Sequence, residues 1–345
     1  MKRVNNRDYL FDVLRIVAIW GVVCLHISAP VVKRAPSINS LNWWIGNVAN
    51  SYSRWSVPIF VMISGALILN NKYKSIASFY QKRARRILVP ILFWSIFYFV
   101  WEFIQGIQLS AYQIVISIAM GVPYYHLWFL YMILGLYLIT PFLSAFVKIT
   151  DRKLLIFFIA IFYTFVLMQS CTDKIYGKNI SVFTTYSIYF IPYFLMGFSL
   201  FRTELKIFND KKPLFWVGMF LLSGLAIALI TGLLLPYLGE KTWGLMYNNF
   251  NPLVVIMSIS LALLVKSLFA EINYRYTRFL ERLSSLTLGI YVIHPFWIDV
   301  LNLAGFSTLS ITPLISIPVM SLTIFILSAL SAYLLYLVPG LRRVI

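Results

Sequence analysis

Apolar runs of around twenty residues recur along the chain from Tyr9 to Pro339, separated by short polar or basic stretches. A helix of that length matches the hydrocarbon thickness of a bilayer, so the pattern predicts an all-α, polytopic integral membrane protein. The expected spans are Tyr9 to Ile27, Trp43 to Leu69, Ile87 to Ile107, Leu127 to Val147 and Leu154 to Ser170. They continue with Val182 to Phe201, Pro213 to Leu238, Pro252 to Leu268, Leu286 to Leu301 and Ile311 to Val338, about ten transmembrane helices in all. The stretch from Leu109 to Met120 is apolar but too short to cross alone, and is expected to lie in the interface or to re-enter. No internal repeat, low-complexity tract or long linker divides the chain, so a single membrane domain over residues 1–345 is expected.

Composition strengthens this picture. Hydrophobic residues make up 61% of the 345 and charged residues only 12%, about half of what a soluble domain carries. The net charge of +18 would suit nucleic acid only if the basic residues were gathered on one face with aromatics between them. They are instead split among the segments between spans, and no nucleic-acid partner is expected. With the N-terminus inside, 22 of the 29 Lys and Arg fall on the cytosolic side, five fall outside, and Arg15 and Arg54 lie in spans. That asymmetry follows the positive-inside rule and places both termini in the cytosol. Lys2, Arg3 and Arg7 flank the first run like a signal peptide, but Asp12 and Arg15 interrupt it, so it is expected to be a retained helix. Cys24 and Cys171 have neither disulfide-framework nor metal-ligand spacing, and no metal site is expected.

Charges inside an apolar run are the candidates for chemistry, because each costs roughly 2.5–3.5 kcal/mol to insert. Asp12, Arg15, Arg54 and Glu102 are such charges. Asp12 and Arg15 stand three apart and can simply neutralise each other. Arg15 also aligns with His26: eleven helical steps of about 100° return to within roughly 20° of the same face, with Ile19 and Val22 on that stripe. The same steps rise about 16 Å, which sets Arg15 in the cytosolic half and His26 near the outer surface. Guanidinium suits phosphate and imidazole suits proton transfer. Cys24 faces about 160° away from His26, which argues against a Cys24 and His26 nucleophilic dyad. His126 and His294 are the remaining histidines, and the topology puts all three in the outer half. A membrane histidine can equally be a helix-packing hydrogen bonder. The basic run from Lys72 to Arg86 fits attraction to anionic lipid better than a binding site.

Four segments together carry a resemblance. Asp12-Val13-Leu14-Arg15, with ten residues between Arg15 and His26, resembles the arginine–histidine signature of the bacterial acyltransferase 3 family of membrane O-acyltransferases. Ser53-Arg54-Trp55-Ser56-Val57-Pro58-Ile59-Phe60, ending in Ile63-Ser64-Gly65, is similar to the family's second-helix segment. Tyr125-His126-Leu127-Trp128-Phe129-Leu130 and Leu288-Gly289-Ile290-Tyr291-Val292-Ile293-His294-Pro295 resemble its two later histidine segments. Ile16 departs from the glycine that many members place after the arginine.

The resemblance implies a multi-pass protein of the bacterial cytoplasmic (inner) membrane that transfers an acyl group. The implied donor is acetyl-CoA, with no tightly bound cofactor, and the implied acceptor is a sugar hydroxyl of a surface polysaccharide or lipid-linked saccharide. Arg15, with Arg54 or the basic run Lys82 to Arg86, would hold the phosphate end of the donor. His26 would act as general base or as a transient acyl carrier, and His126 and His294 would orient the acceptor or stabilise the oxyanion. Ten helices with scattered buried charges also suit a transporter or flippase of lipid-linked saccharides or small solutes, which would show paired broken helices in two related halves.

Overall fold

A computed structural model describes residues 9–34, 38–71, 75–176, 183–203, 211–268 and 277–345. Among the described residues the chain is helical without strands. The helices are α1 (Tyr9–Arg34), α2 (Leu41–Ser51), α3 (Ser56–Ile68), α4 (Ile76–Ile104) and α5 (Ala111–Met120). Next come α6 (Trp128–Ile149), α7 (Arg152–Tyr176), α8 (Phe183–Tyr189), α9 (Ile191–Arg202) and α10 (Pro213–Leu238). The last are α11 (Lys241–Met246), α12 (Pro252–Leu268), α13 (Thr277–Ser285), α14 (Thr287–Leu303) and α15 (Pro313–Leu337). Of the basic residues used to orient the chain, Lys2, Arg3, Arg7, Lys72, Lys74, Lys178, Lys206 and Arg275 lie outside the described residues, as does Val182 at one expected span end.

Among the described residues, six helices, α1, α4, α6, α7, α10 and α15, are long and apolar enough to cross a membrane, and α13 with α14 makes a seventh span if that pair, bent by 54°, is counted as one. This is fewer long apolar helices than the about ten expected spans. The stretch from Trp43 to Leu69 is two helices around a turn at 52–55, the stretch ending at Phe201 breaks before Ile191, and Pro252–Leu268 has only 17 residues. Proline causes the first two breaks. Pro58 has no N–H for the Arg54 carbonyl and its ring would clash with that carbonyl in a continuous helix. Pro192 sits at the first turn of α9, where a missing N–H costs nothing. Hydropathy alone does not see such breaks. Large apolar side chains such as Leu92, Phe103 and Phe142 stand 64%, 70% and 74% exposed, which in a chain this apolar marks surfaces solvated by lipid.

The chain forms two compact units. The first comprises Met1–Ile63 with Leu205–Leu330. Its central helix is α1, whose apolar window is 56% buried. Val23, Ile27 and Val31 of α1 pack with Ile298 of α14 and with Ile317, Met320 and Ile324 of α15. At its start, Asp12 accepts hydrogen bonds from Arg15 (3.2 Å) and from Ser284 of α13 (2.7 Å). At its end, the Val32 carbonyl, one of the last that a helix leaves without an internal donor, accepts from the indole of Trp43 (3.2 Å).

The second unit comprises Ser64–Glu204 with Ser331–Ile345. Close approach holds it together. A Cβ on Gly65 would stand 1.8 Å from the Phe194 carbonyl oxygen, so only glycine lets α9 come this near. The terminal carbonyls of α3 are met from the side: Arg202 donates to Ala66 (3.0 Å) and Ser144 to Leu69 (2.8 Å). The indole of Trp94 donates to the Val344 carbonyl at 2.8 Å. In α4 the Arg83 guanidinium lies over the rings of Phe79 and Tyr137. Helix α5 has a Ser110–Gln113 capping box and ends at Gly121 with φ 74°, and none of its residues is buried.

Candidate active site

The first unit brings two of the three histidines together. The rings of His26 on α1 and His294 on α14 have centroids 5.2 Å apart and are tilted by 37°. His26 is half-buried, whereas His294 is fully buried behind it. Each lies beside a proline interruption. In α14, Pro295 cannot donate to the Tyr291 carbonyl four residues back, so that carbonyl is left without its helical donor. The His294 ring uses it: Nδ1 lies 2.6 Å from the Tyr291 oxygen. A carbonyl only accepts, so Nδ1 carries the proton and Nε2 of the neutral ring is the acceptor nitrogen. In α1, Pro30 likewise withholds the N–H that would close on the His26 carbonyl.

Arg54 reaches the same place through the turn that Pro58 enforces. Its Nε donates to the Asn50 side-chain oxygen (2.9 Å), Nη2 donates to that same oxygen, and Nη1 donates to the Tyr247 carbonyl (3.0 Å). The guanidinium also lies 4.2 Å above the Tyr247 ring. Asn50 in turn ties the arginine to the His26 turn, since its Nδ2 donates to the Leu25 carbonyl (3.2 Å) and to Ser28 Oγ (3.0 Å). Both amide protons are thus directed at α1, which leaves the Asn50 oxygen aimed at Arg54. Behind it, the Tyr247 hydroxyl donates to Asn47 (2.6 Å), and Asn47 donates to the Ala228 carbonyl (2.9 Å).

Arg15 and His126 are elsewhere. Arg15 is paired with Asp12 at 3.2 Å, the neutralising arrangement that their spacing allows, and lies eleven residues, about 16 Å, along α1 from His26. His126, 1% exposed, is in the second unit just before α6, edge-on to Tyr98 (5.1 Å), Tyr124 (5.8 Å) and Tyr125 (5.6 Å). Tyr98 and Tyr124 are themselves stacked at 4.2 Å. Glu102 is also in the second unit, in the last turn of α4. Sequence reasoning missed Asn50, Tyr247 and Asn47. A neutral polar residue in an apolar stretch was the available signal, and Asn47 and Asn50, both fully buried on α2, carried it.

A half-buried and a buried imidazole beside a held cation, at the end of an arginine and ten-residue spacing, come from three of the four family-like segments. A family model described as an acyltransferase domain matches residues 8–337. This chain belongs to the acyltransferase 3 family. The match spans both compact units, and with the apolar helices it makes the protein a multi-pass membrane acyltransferase. No curated protein and no solved structure matches the chain. Within this acyltransferase 3 chain, the His26, His294 and Arg54 cluster is the candidate active site.

Proposed function

We propose that the protein transfers an acetyl group from acetyl-CoA to a sugar hydroxyl of a surface polysaccharide or lipid-linked glycan, in the bacterial inner membrane. The observation that carries this reading is the His26 and His294 pair, half-open on one side and anchored by the Pro295-freed carbonyl on the other. His26, the more accessible ring, takes the proton of the acceptor hydroxyl as its oxygen attacks the thioester carbonyl. The C–S bond then breaks, and the proton passes from His26 to the departing CoA thiolate. His294, held in one tautomer, supports the His26 ring, the part that an orienting group plays beside a base. Arg15, braced by Asp12 at the other end of the stripe, meets the donor's phosphates.

This division assumes about ten membrane crossings, some made by broken or short helices, with both termini cytosolic and His26 towards the outside. Single cysteines at Ser40 and Asn249 should then label from outside in intact cells, and a reporter after Arg343 should read cytosolic. Labelling only after permeabilisation would reverse the orientation. The reaction itself is tested with purified protein in detergent, labelled acetyl-CoA, and lipid-linked glycans or isolated surface polysaccharide. Label should appear in the saccharide in alkali-labile ester linkage. Protein that binds CoA yet labels no saccharide would refute the acetyl-transfer reading.

A further inference from the structure

Arg54 is a cation that the fold holds without neutralising it. Its three donor contacts go to an amide oxygen and a backbone carbonyl, and its face is covered by a tyrosine ring. All are neutral, and no carboxylate pairs with it among the described residues. The groups that hold it are themselves fixed, Asn50 by α1 and Tyr247 through Asn47 by the Ala228 carbonyl of α10. The contacts use Nε–H and one N–H on each terminal nitrogen, so a second N–H of Nη1 and of Nη2 is left for another acceptor. The residue is not fully buried.

A lone cation in a low-dielectric setting is costly unless an anion joins it, and the rigid neutral cradle supplies none. The donor's phosphates are a poor match. Arg54 is separated from the His26 turn by the length of one asparagine side chain, whereas those phosphates lie a full pantetheine arm away from the thioester that must react there. The transient oxyanion of acyl transfer needs only preorganised dipoles, while a permanent charge matches an anion present in the ground state. Guanidinium also prefers planar or multi-oxygen anions that accept from both terminal nitrogens.

We propose that Arg54 is the anchor for an anionic group on the acceptor, a phosphoryl or carboxylate oxygen pair, and that it positions the acceptor hydroxyl beside His26. This rests on the acyl-transfer reading of the site but not on the identity of the donor. The substrate class is accordingly an acidic acceptor: a lipid-linked saccharide recognised by its phosphoryl linker, or a saccharide recognised by a uronic acid.

The two sources separate in a binding experiment on the full chain in detergent. Farnesyl diphosphate and methyl glucuronide serve as anionic probes, with farnesol and methyl glucoside as their neutral counterparts. The wild type should bind at least one anionic probe in preference to its neutral counterpart, and which probe binds identifies the source. Arg54→Gln should weaken that binding at least tenfold, Arg54→Lys should weaken it less because charge without the fork remains, and His26→Asn should leave it unchanged. Acetyl-CoA affinity should be the same in all four proteins. Should Arg54→Gln fail to give a monodisperse protein, Arg54→Lys and the wild type still decide the matter: a wild type indifferent to both anions, or an Arg54→Lys protein that binds like wild type, overturns the proposal. Loss of acetyl-CoA affinity in either variant overturns it too, returning Arg54 to the donor. Arg54-dependent anion binding in a protein that moves no acetyl group would remove the acetyl-donor reading and leave the acidic-acceptor site standing.

Discussion

His294 and His126 are equally buried, at 0% and 1% exposure, yet the two compact units treat them in opposite ways. In the first unit the imidazole is gripped by a backbone carbonyl, faces a second imidazole, and stands near a cation held by a relay of amides and a phenol. In the second, three tyrosine rings surround the imidazole edge to face. Burial alone therefore does not say what a membrane histidine does. What the first unit adds is a contact that fixes which His294 nitrogen bears the proton, and proton transfer needs such a defined acceptor nitrogen.

The largest effect expected from this contrast is at His26. His26→Asn and His26→Gln should insert normally and retain CoA binding, while acyl transfer falls roughly 10² to 10⁴-fold, the span for a lost general base. Near-normal transfer by a well-inserted His26→Gln protein would break the comparison at its centre. Next comes a purely structural change in the other unit. Gly65→Ala forces a methyl against the Phe194 backbone, and overpacking of this kind costs about 1–3 kcal/mol, so the melting temperature should fall by several degrees. An unchanged melting temperature would mean that α3 and α9 can part without penalty.

His126→Ala should lower transfer by less than about tenfold, since orienting contacts contribute less than a base does. A loss as large as that at His26 would show that the tyrosine-lined histidine takes part in the chemistry on equal terms. The smallest change is Tyr247→Phe. It keeps the ring beneath Arg54 and removes the hydroxyl that donates to Asn47, so it should cost about 0.5–1.5 kcal/mol of stability, read by thermal unfolding, with transfer reduced only a few-fold. A complete loss of transfer would place the phenol itself among the reacting groups.

Much of this was legible in the residues. Apolar run length located the helices, and α10 and α12 have the predicted bounds because Pro213 and Pro252 open them at sharply defined starts. The Asp12 and Arg15 pair followed from its spacing. The breaks at 52–55 and before Ile191 did not follow, because hydropathy averages over a turn that keeps its apolar neighbours. The assignment of Arg54 to the donor's phosphates rested on charge type alone. One helix wheel shows which residues share a face, but it cannot show that Asn50 on α2 reaches back to the carbonyl before His26. The meeting of His26 with His294 was out of reach for the same reason, since 268 positions of sequence separate them and their contact depends on how α14 packs against α1.

The proline after His294 carries a further consequence for anyone trying to make the protein sturdier. Any other residue at 295 would restore an amide donor to the turn, and the Tyr291 oxygen would then be shared between the backbone ladder and the imidazole. Such a change improves the helix and loosens the hold on the ring and on the nitrogen that bears its proton. If His294 supports the base as proposed, a selection for heat resistance favours the same substitutions that a selection for turnover rejects, and position 295 is where the two demands on this chain part company.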